Sequence, residues 1–281
     1  MSVTMRLVHR TGYTYTGPAT QSYNEARLTP LSSARQTVLH SRVDVTPTPW
    51  MEQWTDYWGT TVTSFELHEP HDELKVVAIS TVTVDRHPAE TAGMTWEQYA
   101  DPSVRDEFEE VLRIVPRTAL GPAFEEVVAR ARENAATPAV FVTDVIAAIR
   151  ERLDYIAGRR TVYARCAGAW DDAQGACQDF AHLALGALRS QGIPARFVTG
   201  YVFPDRDAPV GANVTGVSHA WIQWWDGAWT AVDPSAGVVP DDFYIEVAQG
   251  RDHSDVVPLR GIFTGTPGSK MFVTVEISRL A

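Results

Sequence analysis

The stretch Gly175-Ala176-Cys177-Gln178-Asp179-Phe180-Ala181-His182-Leu183 decides how the rest of the chain is read. From about Ala176 to Gln191, the residues Cys177, Phe180, Ala184, Ala187 and Leu188 recur at helical spacing and share one face. Gly192-Ile193-Pro194 ends the pattern, with glycine at the stop and proline beyond it. The spacing predicts a helix with Cys177 in its first turn, on the inward face. A helix N-terminus carries partial positive charge and N–H groups without intrahelical partners. Both favour thiolate over thiol, and the same N–H groups can hold a developing oxyanion. A cysteine on a buried helix face is more often a small packed hydrophobe, so the downstream residues carry the decision.

After Pro194, the run Arg196–Phe203 reads as a strand. His219–Trp224 and Ala228–Asp233 read as two more, joined by Trp225-Asp226-Gly227. A three-residue loop with glycine third fits a type I turn followed by a left-handed bulge. That register pairs Trp224 with Ala228 and His219 with Asp233, close enough for the two side chains to touch. A two-residue Asp226-Gly227 turn would instead put them on opposite faces. Asp233 can then accept a hydrogen bond from one imidazole nitrogen and leave the other for the Cys177 sulfur. A thiol, a base and an orienter in this order is the arrangement that supports acyl transfer through a thioester. His182, five residues after Cys177, points away from the thiol and is expected to pack or bond locally, with Asp179 as its nearest partner. His68-Glu69-Pro70-His71 reads as a strand-linking turn, because no further metal ligands accompany it.

The 281 residues suffice for one large or two modest domains. Apolar content of 44% and aromatic content of 10% place the chain among ordinary globular proteins. Its net charge of −11 argues against nucleic-acid binding, which needs a basic face. No apolar stretch is long enough to span a membrane, and residues 1–6 lack the pattern of a secretory signal. The expectation is a cytoplasmic protein with Cys166 and Cys177 as thiols; a disulfide between them is the alternative. No ligand pair for zinc and no Asp-x-Asp calcium loop is visible, so neither metal nor cofactor is expected.

Residues 1–86 read as β, through Leu7–Tyr15, Val38–Val45, the pair Gln53–Trp58 and Thr60–Leu67, and Leu74–Val84. Several short strands with turns between them suggest a small β-sandwich. Residues 87–136 turn helical and form a connector. The stretch 137–281 holds a second apolar stripe, Val142, Val145, Ile146, Ile149 and Leu153, then the Cys177 helix, the strands above and a C-terminal strand at 271–277. The fold class is α+β.

With these residues placed, the chain resembles the bacterial transglutaminase-like cysteine enzymes, in which a β-rich N-terminal domain precedes a papain-like core. Cys177-Gln178-Asp179 with Ala181-His182 carries the resemblance most specifically. Arg189, Gly192–Arg196, Gly200-Tyr201, His219-Ala220-Trp221, Asp233-Pro234, His71 and Gly250-Arg251-Asp252 add to it. Ala176, Ser235-Ala236 and His253 depart from the usual Val, Thr-Asn and aromatic residue. The resemblance implies that Cys177 is the nucleophile, His219 the base and acid, and Asp233 the orienter. Gln178, Trp170 and Tyr163 are candidates for a second oxyanion donor, and Trp221 for a cleft wall that binds substrate. The implied activity is on amide bonds of a peptide or protein, with hydrolysis favoured because water is always present. An amine-accepting transglutaminase and a non-catalytic binding protein on the same fold are the alternatives. A coenzyme A-dependent transferase would need a basic cluster near the motifs, and none is there. Oligomeric state and the role of the β domain stay open at this level.

Overall fold

The computed structural model describes residues 2–87, 91, 93–157, 165–266 and 268–281. Five strands come first: β1 (Val3–Ala26), β2 (Gln36–Thr46), β3 (Trp50–Thr55), β4 (Thr61–Leu67) and β5 (His71–Val84). The turn from β3 to β4 follows from its chemistry. Asp56 Oδ1 accepts from the backbone N–H groups of Trp58 and Thr60, and Gly59 supplies the positive φ of 80°.

Short helices α1 (Trp96–Tyr99), α2 (Pro102–Glu107) and α3 (Glu109–Leu112) lead to α4 (Pro122–Asn134) and α5 (Pro138–Arg152). Helix α5 starts with Pro138 in its first turn and Thr137 as N-cap, accepting from Val140 N–H. Next come β6 (Asp154–Tyr155), α6 (Cys166–Asp172), β7 (Gln174–Gly175) and α7 (Cys177–Ser190), then β8 (Ala195–Val202), β9 (Asn213–Thr215), β10 (Val217–Trp225), β11 (Trp229–Val232), β12 (Tyr244–Gly250), β13 (Leu259–Gly265) and β14 (Ser269–Arg279). No helix among the described residues is long and apolar enough to cross a membrane.

The strands form two main sheets. The core sheet has the order β11-β10-β8-β12. Helix α7 packs on it through Phe180, Leu183, Ala184, Leu185, Ala187 and Leu188, all at most 1% exposed. Burying each large one of these contributes about 1.5–3 kcal/mol, so packing rather than propensity holds this helix. Arg189, in its last turn, donates to the carbonyls of Ala195, Arg113 and Arg251 and ties the helix end to β8.

The other sheet has eight strands and curls on itself. The 24-residue β1 runs through it and changes partners at an irregularity between Thr14 and Ala19. Its first half lies between β5 and β14, its second between β4 and β13. Phe65, Leu74, Val76 and Leu259 fill the space enclosed. The sandwich-like body expected of the N-terminal region is thus one curled sheet. Ending that domain at residue 86 leaves out β9, β13 and β14, which come from the 137–281 stretch and return to it. Periodicity identifies a strand but not its partner, and the pairings of β13 and β14 with β1 join residues more than 200 positions apart.

Candidate active site

Local chemistry sets the start of α7. Asp179 Oδ2 accepts from the Ala176 N–H at 2.8 Å and fixes the entry into the helix. Gly175 allows that approach, since a Cβ there would lie 2.8 Å from Asp179 Cβ. Cys177 follows as the first helical residue, 8% exposed. The motif's Asp179 therefore builds the turn that holds Cys177. His182, which the sequence reading paired with Asp179, instead accepts from His253 N–H at 3.2 Å and packs on Phe197. Burial pushes its pKa well below the ordinary value, so it is a neutral core group.

On the hairpin, Trp225 pairs with Trp229 and Ile222 with Val232. The connection is Asp226-Gly227-Ala228, not Trp225-Asp226-Gly227, and every pair moves by one residue on each strand. The Trp225 and Trp229 rings pack edge to face at 5.6 Å and both meet Phe108, which keeps them in the ladder. The shift preserves parity, so His219 and Asp233 stay on one face but are diagonal rather than opposed. The ladder stops at Val232, and Asp233 bridges to Val238.

His219 Nε2 donates to Asp233 Oδ2 at 2.7 Å, and Cys177 lies near enough to the ring to act on its charge. Asp233 has no exposed side-chain surface. Its Oδ1 accepts from Ser235 N–H, Ser235 Oγ and Ala236 N–H, and its Oδ2 also accepts from the Tyr244 hydroxyl at 2.9 Å. Ser235 and Ala236, which depart from the family's usual residues, still cap the carboxylate. Burial opposes charging His219, but the bond to Asp233 and the nearby Cys177 outweigh it and raise its pKa to about 10. Burial likewise works against the Asp233 carboxylate, and the His219 and Ser235 contacts overcome it, holding its pKa below the ordinary value.

Among the other site candidates, Gln178 is half-buried beside Cys177 in the first turn. Trp170 stacks on Phe124 at 4.2 Å and joins α6 to α4. Trp221 is fully buried, stacked on His219 and edge to face with Tyr244. It is a wall behind the imidazole and offers no surface to a substrate. Tyr163 lies outside the described residues. Tyr155 and Tyr244 were not singled out in the sequence. Burial, with the nearby Cys177 and Asp233 charges, pushes the Tyr155 hydroxyl up to about 12. The pairing of β6 with β7 puts Tyr155 beside the start of α7. No sequence motif marked it, because a two-residue strand has no periodicity to read.

Tyr155, His219 and Tyr244 border a groove of about 410 Å³ whose remaining walls include Val202, Pro204, Val217 and Ala236. Cys166 lies apart, fully buried, with its thiol donating to the Ala119 carbonyl. Burial pushes that thiol up to about 12, and both cysteines are free. No group of three or more His, Cys, Asp or Glu side chains placed to hold a metal occurs among the described residues.

The His219–Asp233 pair makes stability pH-dependent. His219 binds its proton more tightly folded than unfolded, so its contribution is complete below about 6.5 and is lost as pH rises toward about 10. Asp233, held low, contributes above its ordinary range and loses that as pH falls. Urea midpoints of wild type and His219→Ala are expected to differ most near pH 6 and to converge by pH 10. A difference independent of pH would contradict the assignment.

Residues 5–83 match the family described as the bacterial transglutaminase-like N-terminal region, and residues 125–234 match the transglutaminase-like superfamily. An uncharacterized protein of Mycobacterium leprae is 45% identical over 277 residues, 99% of each chain. One of Mycobacterium tuberculosis is 32% identical over 301 residues, covering 97% of this chain and 91% of that protein. The crystal structure of a proposed cysteine protease from Cytophaga hutchinsonii superposes with a TM-score of 0.77 at 20% identity, covering 100% of this chain and 92% of that one. That likeness is one of fold.

Proposed function

The chain belongs to the transglutaminase-like superfamily, and from that premise we propose that it is a cysteine-dependent enzyme acting on amide bonds, with hydrolysis of peptide or isopeptide bonds as its reaction. The observation that carries the reading is the hydrogen-bonded pair of His219 and Asp233 on an open groove, with Cys177 beside the imidazole. The Cys177 sulfur attacks the carbonyl carbon. Negative charge moves to the carbonyl oxygen, where the backbone N–H groups opening α7 receive it. The Tyr155 hydroxyl, near Cys177, supplies a further donor. The His219 imidazolium gives its proton to the departing amine, and a thioester remains on Cys177. His219, now neutral, takes a proton from water, whose oxygen attacks the thioester and releases the acid, leaving the Cys177 thiolate beside the recharged imidazolium.

Transfer to an amine shares the first half of this scheme. The carboxylate at the groove, Asp233, is saturated by donors. That leaves it unable to hold an incoming ammonium group, which favours water as the acceptor. The test is an activated ester, p-nitrophenyl acetate. A stoichiometric burst of nitrophenolate is expected, with an acetyl group on the peptide containing Cys177. Absence of both would overturn the reading, and product diverted quantitatively to an added amine would favour the transferase.

A further inference from the structure

We infer that the N-terminal sheet takes part in the reaction by holding strand β12 so that Tyr244 keeps Asp233 in place, with Arg86 and Tyr244 as positioning residues. This rests on the proposed roles of Cys177, His219 and Asp233.

Strand β12 is the edge of the core sheet, paired only with β8 there, and its two sides do different work. Ile245 and Val247 belong to the core under α7. Tyr244 and Glu246 alternate to the other side. The Tyr244 hydroxyl donates to Asp233 Oδ2 at 2.9 Å, and its ring closes on Trp221 and His219. It therefore bonds the same carboxylate oxygen that holds the imidazole.

Two residues from the N-terminal region grip this strand on either side of Tyr244. The Gln36 amide acts like a neighbouring strand: its oxygen accepts from Glu246 N–H at 2.9 Å and its nitrogen donates to Glu246 O at 2.7 Å. Arg86 donates from its backbone N–H to Asp242 Oδ1, from Nη2 to the Tyr244 carbonyl at 3.1 Å, and from Nη1 to Glu246 Oε1 at 2.8 Å. The Arg86 and Glu246 side chains are 4% and 7% exposed. A buried ion pair of this kind adds little net stability against an apolar alternative, but it is directional. Arg86 thus fixes β12 at Tyr244 and Glu246, and the chain just before it at Asp242. The same Glu246 oxygen accepts from Gln223 on β10, the strand that carries His219. The N-terminal region is thereby coupled to the strand bearing the tyrosine that bonds the orienter. Displacements of about 1 Å in such groups can cost up to 10²-fold in rate.

The test is a double-mutant cycle on the nitrophenolate burst, using full-length Tyr244→Phe, Arg86→Met and the double variant. Tyr244→Phe is expected to slow acylation about tenfold, and Arg86→Met several-fold. The double variant is expected to be no slower than Tyr244→Phe alone, since Arg86 acts through Tyr244. Effects that multiply, or an Arg86 variant with the wild-type rate, would overturn the inference. Should Arg86→Met not fold, Arg86→Lys keeps a charge opposite Glu246 while giving up the bond to the Tyr244 carbonyl, and it carries the same comparison. Cys177→Ala is the control. A burst that persists there overturns the catalytic reading itself, whereas a burst lost there with multiplying effects overturns only the coupling.

Discussion

Cys177→Ala is expected to abolish the nitrophenolate burst and the acetylation of the Cys177 peptide, with residual ester hydrolysis at the level of buffer. Removing the nucleophile from a comparable triad costs on the order of 10⁶ in kcat, and no second thiol can replace it. Cys166 is fully buried, bonded to the Ala119 carbonyl and held as a thiol up to about pH 12. The substitution is also conservative for folding. Cys177 is a small side chain in the first turn of α7, where the Ala176–Asp179 contact and not the thiol fixes the helix start. Loss of the burst with an unchanged urea midpoint separates chemistry from stability. An undiminished burst would mean that the ester is attacked elsewhere.

Asp233→Ala is expected to lower the acylation rate by about 10³–10⁴, the scale of losing the third triad member. Two effects combine. The imidazole loses the acceptor at 2.7 Å that sets its orientation, and its pKa falls from about 10 toward 6.5 because the main support for the cation is gone. Alanine also removes the acceptor of the Ser235, Ala236 and Tyr244 donors. Asp233→Asn separates these effects. Its carbonyl oxygen can still accept from Nε2–H, as in Cys-His-Asn triads, while the charge is lost. It is expected to retain more activity than alanine, with the alkaline limb of the rate profile moved to lower pH. Equal losses for both variants would indicate that orientation contributes little.

The parts of this site legible in the sequence are those governed by local periodicity. Helix α7, its glycine stop and the inward position of Cys177 follow from the 3.6-residue repeat. The shared face of His219 and Asp233 follows from the two-residue period of paired strands, and it survived a wrong register because the error moved both strands together. The register itself depended on Trp225 and Trp229 packing with Phe108, a residue more than 100 positions earlier. Long-range contacts of that kind account for the other gaps. Tyr155 comes near Cys177 only because β6 pairs with β7. Tyr244 reaches Asp233 across the core sheet. Arg86 meets Glu246 from 160 residues away, and β14 returns to β1 from the far end of the chain. Trp221 looked like a cleft residue because large aromatics favour such surfaces, yet its place on the strand turns it behind His219.

The central claim is that Cys177 and His219 act as a pair, and iodoacetamide alkylation across pH tests it most directly. Labelling would be resolved by mass spectrometry between Cys177 and Cys166, in wild type and His219→Ala. The account expects Cys177 to label in wild type while Cys166 stays unlabelled, with the Cys177 rate strongly reduced in the variant. A Cys177 labelling rate unchanged by His219→Ala at every pH would contradict it.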